Sequence, residues 1–412
     1  MHQWVTMALR NIIKNRRRSF VTLAAIAMGF AAISLFRGYT ANTYEGLRQS
    51  AIRGEGLGHL TIYKSGWLEH GSIDPQPYLF RPAELLKIKK LVEGEDEVIL
   101  ATPQLHIAGL VSNGRSSAIF LAKGVVPSHH QTIVGAMANL RPITGKGLDA
   151  DTPYQVLVAN DLAKQLQLPP GSDAVVMAST LDGQMNALDV TVSGNYDTGS
   201  DATNDKYMLF SLEYAQQLYD TEDVDRIIVL LDDWRNTWRV RQRFEDMFQQ
   251  VGLDCQIKTW DELSVFFTKV KNMFDIIFLF LFTIVLVIVV MSTVNTMGMA
   301  VLERTREIGT LRALGLKRRG VNLLFGIEGS LLGSIGSILG MVLNTAGWLF
   351  IRLIGPTYTP PGVSTPVPLV VDLIPGEMMM LMGFLMVLSL LAAILPARQA
   401  ARKNVVAALG HI

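Results

Sequence analysis

The sequence predicts an α-helical membrane protein, with four transmembrane helices plus one large α+β domain held outside the bilayer. Three observations predict it. Four apolar runs of membrane-crossing length occur in the 412 residues, at Ser19–Phe36, Ile276–Val301, Val321–Ile351 and Glu377–Leu395. The formal net charge is only +1, but residues 42–270 hold 30 acidic and 20 basic side chains, whereas the rest of the chain holds 6 acidic and 17 basic. The basic residues flank the apolar runs, which marks the cytoplasmic side of a membrane protein, and the acidic excess fills one long soluble stretch. Two compartments are indicated, and nucleic acid is not.

Met1–Arg18 carries Trp4, Val5, Ala8, Leu9, Ile12 and Ile13 at helical spacing, with Arg10, Lys14 and Arg16–Arg18 opposite, which suits a helix lying in the headgroup layer. Ser19–Phe36 has no charge and is just long enough to cross, with Arg37 placed to snorkel at the far interface. Ala25-Ile26-Ala27 is a weak signal-peptide cleavage site, but topology argues against cleavage. The basic clusters at the N-terminus, at Glu303–Arg319 and at Arg398, Arg402 and Lys403 all fall inside if four helices cross and both ends are cytoplasmic. The expected divisions are 1–41, an external domain over 42–270, a span at 271–301, a cytoplasmic helix at 302–320, a span at 321–352, a Pro-rich external loop at 353–376, a span at 377–396 ending at Pro396, and a cytoplasmic helix at 397–412.

Within the external segment, strands are expected at Gly58–Tyr63, Leu105–Val111, Ser117–Ala122, Gln155–Val158, Ala174–Ala178, Ala187–Val192, Arg226–Leu231 and Asp254–Thr259, from their β-branched and alternating patterns. Helices are expected at Pro82–Leu91, Ala159–Gln167, Leu212–Tyr219 and Trp234–Gln250. Asn113-Gly114 is the turn signal of a hairpin. The mixture predicts an α+β domain of two lobes. Trp260 should begin a helix that runs unbroken into the second span.

The chain is organised around Glu303–Arg319. Its basic residues Arg304, Arg306, Arg312, Lys317, Arg318 and Arg319 form an island between two spans. Ile308, Leu311 and Leu314 recur every third residue and place an apolar ridge on one helical face, and Gly315 is a natural stop. A short amphipathic helix with membrane helices at both ends can press on them if something grips its ridge. In the third span, Gly329, Gly333, Gly336, Gly340 and Gly347 share one face, fit for close packing either against a helix of the same chain or in a dimer interface. Glu328 beside them is expensive in a membrane and should face protein or water, as a polar contact or in a substrate or proton role.

Enzyme signatures are absent. There is no G-x-x-x-x-G-K-[ST] phosphate loop and no G-x-S-x-G elbow. Cys255 is the single cysteine and reads as a small hydrophobe beside a strand. Asp197, Asp201, Asn204 and Asp205 lack the spacing of a calcium loop and read as a solvated loop; His129 and His130, being adjacent, read as loop residues too. No metal site is expected.

The run E-R-T-R-E-I-G-T-L-R-A-L-G and the C-terminal L-P-A-R-Q-A-A-R-K-N-V-V-A-A-L resemble the FtsX-like permease family, which includes MacB-type exporters and the lipoprotein-release (LolC/LolE-like) permeases. I-F-L-A-K-G-V-V-P and V-L-V-A-N-D-L-A-K-Q-L look like the MacB-type periplasmic core domain, and G-H-L-T-I-Y looks closer to the lipoprotein-release branch. The resemblance implies a bacterial inner-membrane permease with its large domain in the periplasm. It implies a coupling helix, comprising Glu303, Arg304, Arg306, Glu307, Ile308, Gly309, Leu311, Arg312, Leu314 and Gly315, that docks on a separate ABC ATPase. ATP and Mg would be held by two copies of that partner, and no cofactor by this chain. A second permease copy or a sister permease, membrane lipid, and a periplasmic partner or adaptor are the other implied partners. The implied mechanism is mechanotransmission, releasing or exporting a lipophilic or amphipathic cargo such as a lipoprotein or peptide. The alternative is a signalling permease that switches an external partner and transports nothing. An intramembrane enzyme built on Glu328 lacks a partner acid or base.

Overall fold

Each apolar run becomes a helix longer than the run itself, because polar flanks continue the same backbone hydrogen-bond ladder. In the computed structural model, which describes residues 2–135, 144–359, 363 and 366–402, the chain begins with α1 (His2–Lys14) and α2 (Arg16–Gln49). There follow β1 (Leu60–Lys64), α3 (Trp67–His70), α4 (Pro82–Val92), β2 (Val98–Ser112), β3 (Ser117–Val125), α5 (Pro127–Val134) and β4 (Thr144–Gly145). Next come β5 (Gln155–Ala159), α6 (Asn160–Gln165), β6 (Asp173–Ser179), β7 (Met185–Tyr196), α7 (Asp201–Asn204), β8 (Tyr207–Ser211) and α8 (Leu212–Tyr219). The order closes with β9 (Arg226–Leu231), α9 (Thr237–Val251), β10 (Cys255–Thr259), α10 (Trp260–Leu263), α11 (Val265–Glu303), α12 (Thr305–Ala313), α13 (Arg318–Ile354) and α14 (Pro375–Arg402). The chain divides into a helical unit (Met1–Tyr44, Val270–Thr357, Pro368–Ile412) and a mixed α/β unit (Glu45–Lys269, Tyr358–Val367).

In the helical unit, α2, α11, α13 and α14 are long and apolar enough to cross a membrane. The glycine face of α13 packs within the chain, and it splits between two neighbours. A Cβ on Gly329 would lie 2.7 Å from the Ser389 carbonyl oxygen, and one on Gly333 3.0 Å from that of Leu385, so this half lies against α14. A Cβ on Gly336 would lie 2.8 Å from Ile26 Cβ, one on Gly340 2.6 Å from Phe30 Cβ, and one on Gly347 3.1 Å from Leu35 Cδ1, so this half lies against α2. Of the two arrangements open at the sequence level, the structure therefore shows the intrachain one. Helix α11 buries only a narrow stripe, Val285, Val289, Thr293, Met297, Ala300 and Val301, and leaves Ile276, Leu279, Phe280, Ile284 and Met291 exposed. Arg37 does not simply snorkel: it holds Glu377 of α14 by two hydrogen bonds, 2.7 and 3.0 Å. Helix α1 likewise does more than lie on a surface, since Ala8 and Ile12 are buried within the unit while Ile13 is exposed.

Pro396 does not break the last long helix. Helix α14 runs through it to Arg402, although proline removes one ladder bond and crowds the preceding turn. Its small buried residues Ala393, Ala397 and Ala401 recur every fourth position and hold this stretch against the helical core, which offsets the lost bond. Residues 403–412 of the expected C-terminal helix lie outside the described residues, as do Pro360 and Pro361 of the Pro-rich loop.

The mixed unit carries a ten-stranded sheet in the order β10-β1-β9-β2-β3-β8-β5-β7-β4, with β6 pairing β2 and β7. The two largest cores of this unit sit on it. One gathers Leu60, Ile62, Ile88, Val229, Phe244 and Phe248 under α4 and α9, and the other gathers Leu105, Ile107, Phe120, Val176, Phe210 and Tyr214 under α8. The long strand β2 serves both, because it pairs β9 at one end and β6 at the other. The β2–β3 turn uses Asn113, whose Oδ1 accepts from the Arg115 and Ser116 amides at 2.8 Å, and Gly114 at φ +83.

Three expectations fail here. The helix beginning at Trp260 stops at Leu263, because Ser264 adopts ψ 90 and caps α11, its Oγ accepting from Phe267 N at 3.4 Å. His129 and His130 lie in α5 rather than a loop, with Pro127 at the helix start and His129 Nδ1 3.0 Å from Thr102 Oγ1. Asp197 and Asn204 are buried rather than solvated, since Asp197 Oδ1 accepts from Gly199 N at 2.8 Å and Asn204 Nδ2 donates to Asp161 Oδ2 at 3.1 Å. Cys255 opens β10, partly packed on the first core, and burial pushes its thiol up to about 12.

Candidate functional site

Helix α12 is set off from α11 by a single residue. Arg304 departs from helical geometry at φ −105, ψ 13, yet its N–H still reaches Ala300 O at 3.2 Å and its carbonyl accepts from Ile308 N at 2.9 Å. At the other end the helix closes with both bonds of a Schellman motif, Gly315 N to Arg312 O at 3.1 Å and Leu316 N to Leu311 O at 3.0 Å. Gly315 supplies the left-handed conformation that this closure needs, φ +100.

The predicted ridge does not act as one surface. Ile308 is 5% exposed and joins a core cluster with Ile12, Met297, Val301, Phe325, Ala393 and Ala397, so it anchors α12 to the rest of the helical unit. Gly309 and Thr305 are buried on the same side, and Leu311 and Arg312 are half-buried. Leu314 is 81% exposed. The outward stripe is instead Arg306, Glu307, Thr310, Ala313 and Leu314, which are exposed at offsets of 0, 1, 4, 7 and 8 and so share one helical face. Three-residue spacing drifts around a helix of 3.6 residues per turn, which is why Ile308 and Leu314 end on different sides.

Two charges of the expected coupling helix pair within the chain, Arg304 turned inward and Glu303 at an exposed position. Arg304 is 13% exposed: Nη1 lies 3.4 Å from Glu328 Oε2, Nε donates to Glu307 Oε2 at 3.0 Å, and the guanidinium sits 5.6 Å over the Phe325 ring. Glu303 pairs with Arg18 at 2.6 Å. Glu328 is 3% exposed, and with Asn11, Asn15, Ser19 and Thr296 it lines a cavity of about 10 Å³. A buried carboxylate is tolerated only when paired, and Arg304 is the partner that sequence spacing could not reveal, since 24 residues separate the two. The arrangement ties the start of α12 to α13 by charge and its middle by packing, while its outer stripe stays free of the chain's own core. Among the described residues, no group of three or more His, Cys, Asp or Glu side chains is placed to hold a metal ion.

Two family models match. The FtsX-like permease C-terminal model covers residues 279–405, and the MacB-like periplasmic core domain model covers residues 19–247. The lipoprotein-releasing system transmembrane protein LolC of Xylella fastidiosa (strain 9a5c) is 22% identical over 97% of this chain and 96% of that protein. The macrolide export ATP-binding/permease protein MacB 1 of Yersinia pestis bv. Antiqua is 25% identical over 98% of this chain, which spans 60% of that longer protein. Among solved structures, the periplasmic region of MacB from Actinobacillus actinomycetemcomitans is 15% identical, with a TM-score of 0.37 over 54% of this chain and 96% of that one. The chain therefore belongs to the FtsX/MacB family of ABC permeases, with an FtsX-like C-terminal region and a MacB-like periplasmic core domain.

Proposed function

We propose that the chain is the membrane subunit of an ABC transporter in which a separate ATPase docks on the outer stripe of α12. The observation that carries this reading is the two-sided build of α12. Ile308 and Arg304 fasten it to the membrane helices, while Arg306, Thr310 and Leu314 stand exposed on the opposite face. A helix held this way passes a push on its outer face directly into α11 and α13, because a packed core shifts as a body rather than yielding. Two ATPase copies would supply ATP and Mg, and the exposed apolar side of α11 suits lipid or a second permease copy or sister permease. The cargo class is lipophilic or amphipathic, a lipoprotein or peptide taken from the outer leaflet of the inner membrane or from the periplasm; the name of the LolC relative favours the lipoprotein. Release by mechanotransmission, with or without a periplasmic adaptor, is the corresponding mechanism.

Placing p-benzoylphenylalanine at position 310 or 314 and irradiating intact cells tests this. A covalent adduct with an ABC ATPase is expected from both positions. Adducts only with lipid or with other proteins would sink the docking assignment.

A further inference from the structure

The β2–β3 hairpin leaves a gap on its outer edge. The turn bond from Asn113 N to Ser116 O, 3.2 Å, makes these two a hydrogen-bonded pair. In the antiparallel register of β2 with β3, the odd-numbered residues of β2 then spend their peptide groups on β3, and the even-numbered ones turn to the opposite edge. On that edge β9 pairs β2 as far as Gln104, and β6 begins at Leu110. His106 and Ala108 lie between. Tyr219 engages the Ala108 backbone, and the His106 peptide group faces no strand among the described residues.

A cavity of about 280 Å³ opens at this gap, walled by Trp67, Pro75, Leu79, Leu121, Tyr207 and Tyr219. The His106 imidazole is braced from behind, its Nδ1 lying 3.3 Å from the fully buried Asp225 carboxylate. Apolar and aromatic walls thus surround a backbone donor and acceptor at strand spacing. A hydrocarbon chain would bury that peptide group unsatisfied, which is costly. An extended peptide satisfies it and sends alternate side chains to the two sides of the slot. The five residues from 105 to 109 span about 16 Å at ~3.3 Å each, room for roughly three peptide residues between the flanking strands.

We propose that the gap in β2 between Gln104 and Leu110 is a peptide-binding slot, which takes a short extended segment with a large apolar side chain and hydrogen-bonds it to the His106 peptide group. The slot lies wholly within the mixed unit and does not depend on the ATPase-docking reading.

Hydrogen exchange of the full chain in lipid nanodiscs tests it, following fragments that cover 103–110. The probes are acetyl-Val-Phe-Val-amide at millimolar concentration, the same peptide with its backbone amides N-methylated, and decyl maltoside. In the free protein one amide of the 105–109 stretch, that of His106, exchanges fast while its neighbours are slow. The unmodified peptide slows it by about tenfold or more, and the other two probes do not. Ser72 is an exposed residue of the cavity lining, and Ser72→Trp, which crowds the cavity from there, removes the protection and leaves exchange elsewhere unchanged. The proposal fails if the His106 amide is already slow in the free protein. It fails equally if the peptide gives no protection, or if the N-methylated peptide or decyl maltoside protects as well as the parent.

Discussion

Leu314 gives the sharpest test of how α12 is used. Its side chain is 81% exposed, so the helical unit gains almost nothing from it. Fully burying a leucine is worth ~1.5–3 kcal/mol, and covering the exposed four-fifths is therefore worth about 1–2 kcal/mol to whatever docks there. Leu314→Ala should weaken ATPase binding about 5- to 30-fold, at ~1.4 kcal/mol per factor of ten. Leu314→Asp should do more, because docking would bury a carboxylate. Neither change should move the thermal unfolding midpoint appreciably, since an exposed substitution away from the core shifts stability by about 0.5 kcal/mol or less. Ile308→Ala is the contrasting case: at 5% exposure it offers a partner no surface, but it opens a cavity in the anchoring cluster worth ~2–5 kcal/mol. The assay is titration of the purified ATPase onto nanodisc-embedded permease, paired with thermal unfolding of each variant. Wild-type ATPase affinity in Leu314→Asp would refute the outward stripe as the docking face.

Gly340→Leu should lower the unfolding temperature, because a Cβ there already stands 2.6 Å from Phe30 Cβ and 2.9 Å from the Ala27 carbonyl oxygen; overpacking of this kind costs ~1–3 kcal/mol or more. Gly383→Leu, which meets nothing within 4 Å, should leave it unchanged. His59 predicts an acid-labile mixed unit: its Nδ1 accepts from Leu231 N at 2.9 Å, and burial holds the ring down to about 4. With the folded value below the unfolded ~6.5, the unfolded state binds the extra proton between them, so stability falls as pH drops from ~6.5 toward 4, by up to ~1.4 kcal/mol per pH unit. Urea titrations across that range should show the slope, and His59→Asn, which keeps an acceptor without the titration, should reduce it by one proton's share and leave that of His106 and His130, which burial also holds down to about 4. Finally, Lys317→Cys in a Cys255→Ser background should resist a membrane-impermeant maleimide applied to intact cells. Efficient labelling would reverse the topology.

Much of this architecture is written in short-range pattern. Chain length in apolar residues and the placement of Lys and Arg are local quantities, which is why the four long helices were legible from the sequence. So were Leu212–Tyr219 and Arg226–Leu231, whose expected and observed bounds coincide. The glycine face of α13 was legible as a face, but only tertiary contact decided that its two halves meet α14 and α2. The Ser264 break was missed although Ser before a helix is a capping signal, because the apolar residues after it outweighed one hydroxyl. Pro396 misled in the other direction, since its local cost is set against the burial of Ala393, Ala397 and Ala401, a sum that no single residue displays. The inward turn of Arg304 onto Glu328 and the burial of Ile308 could not be read at all. A charge or a leucine-like side chain looks the same in sequence whether it faces a partner or its own core. Which of these it faces is fixed by helices distant in the chain, and that is what the tertiary structure decided.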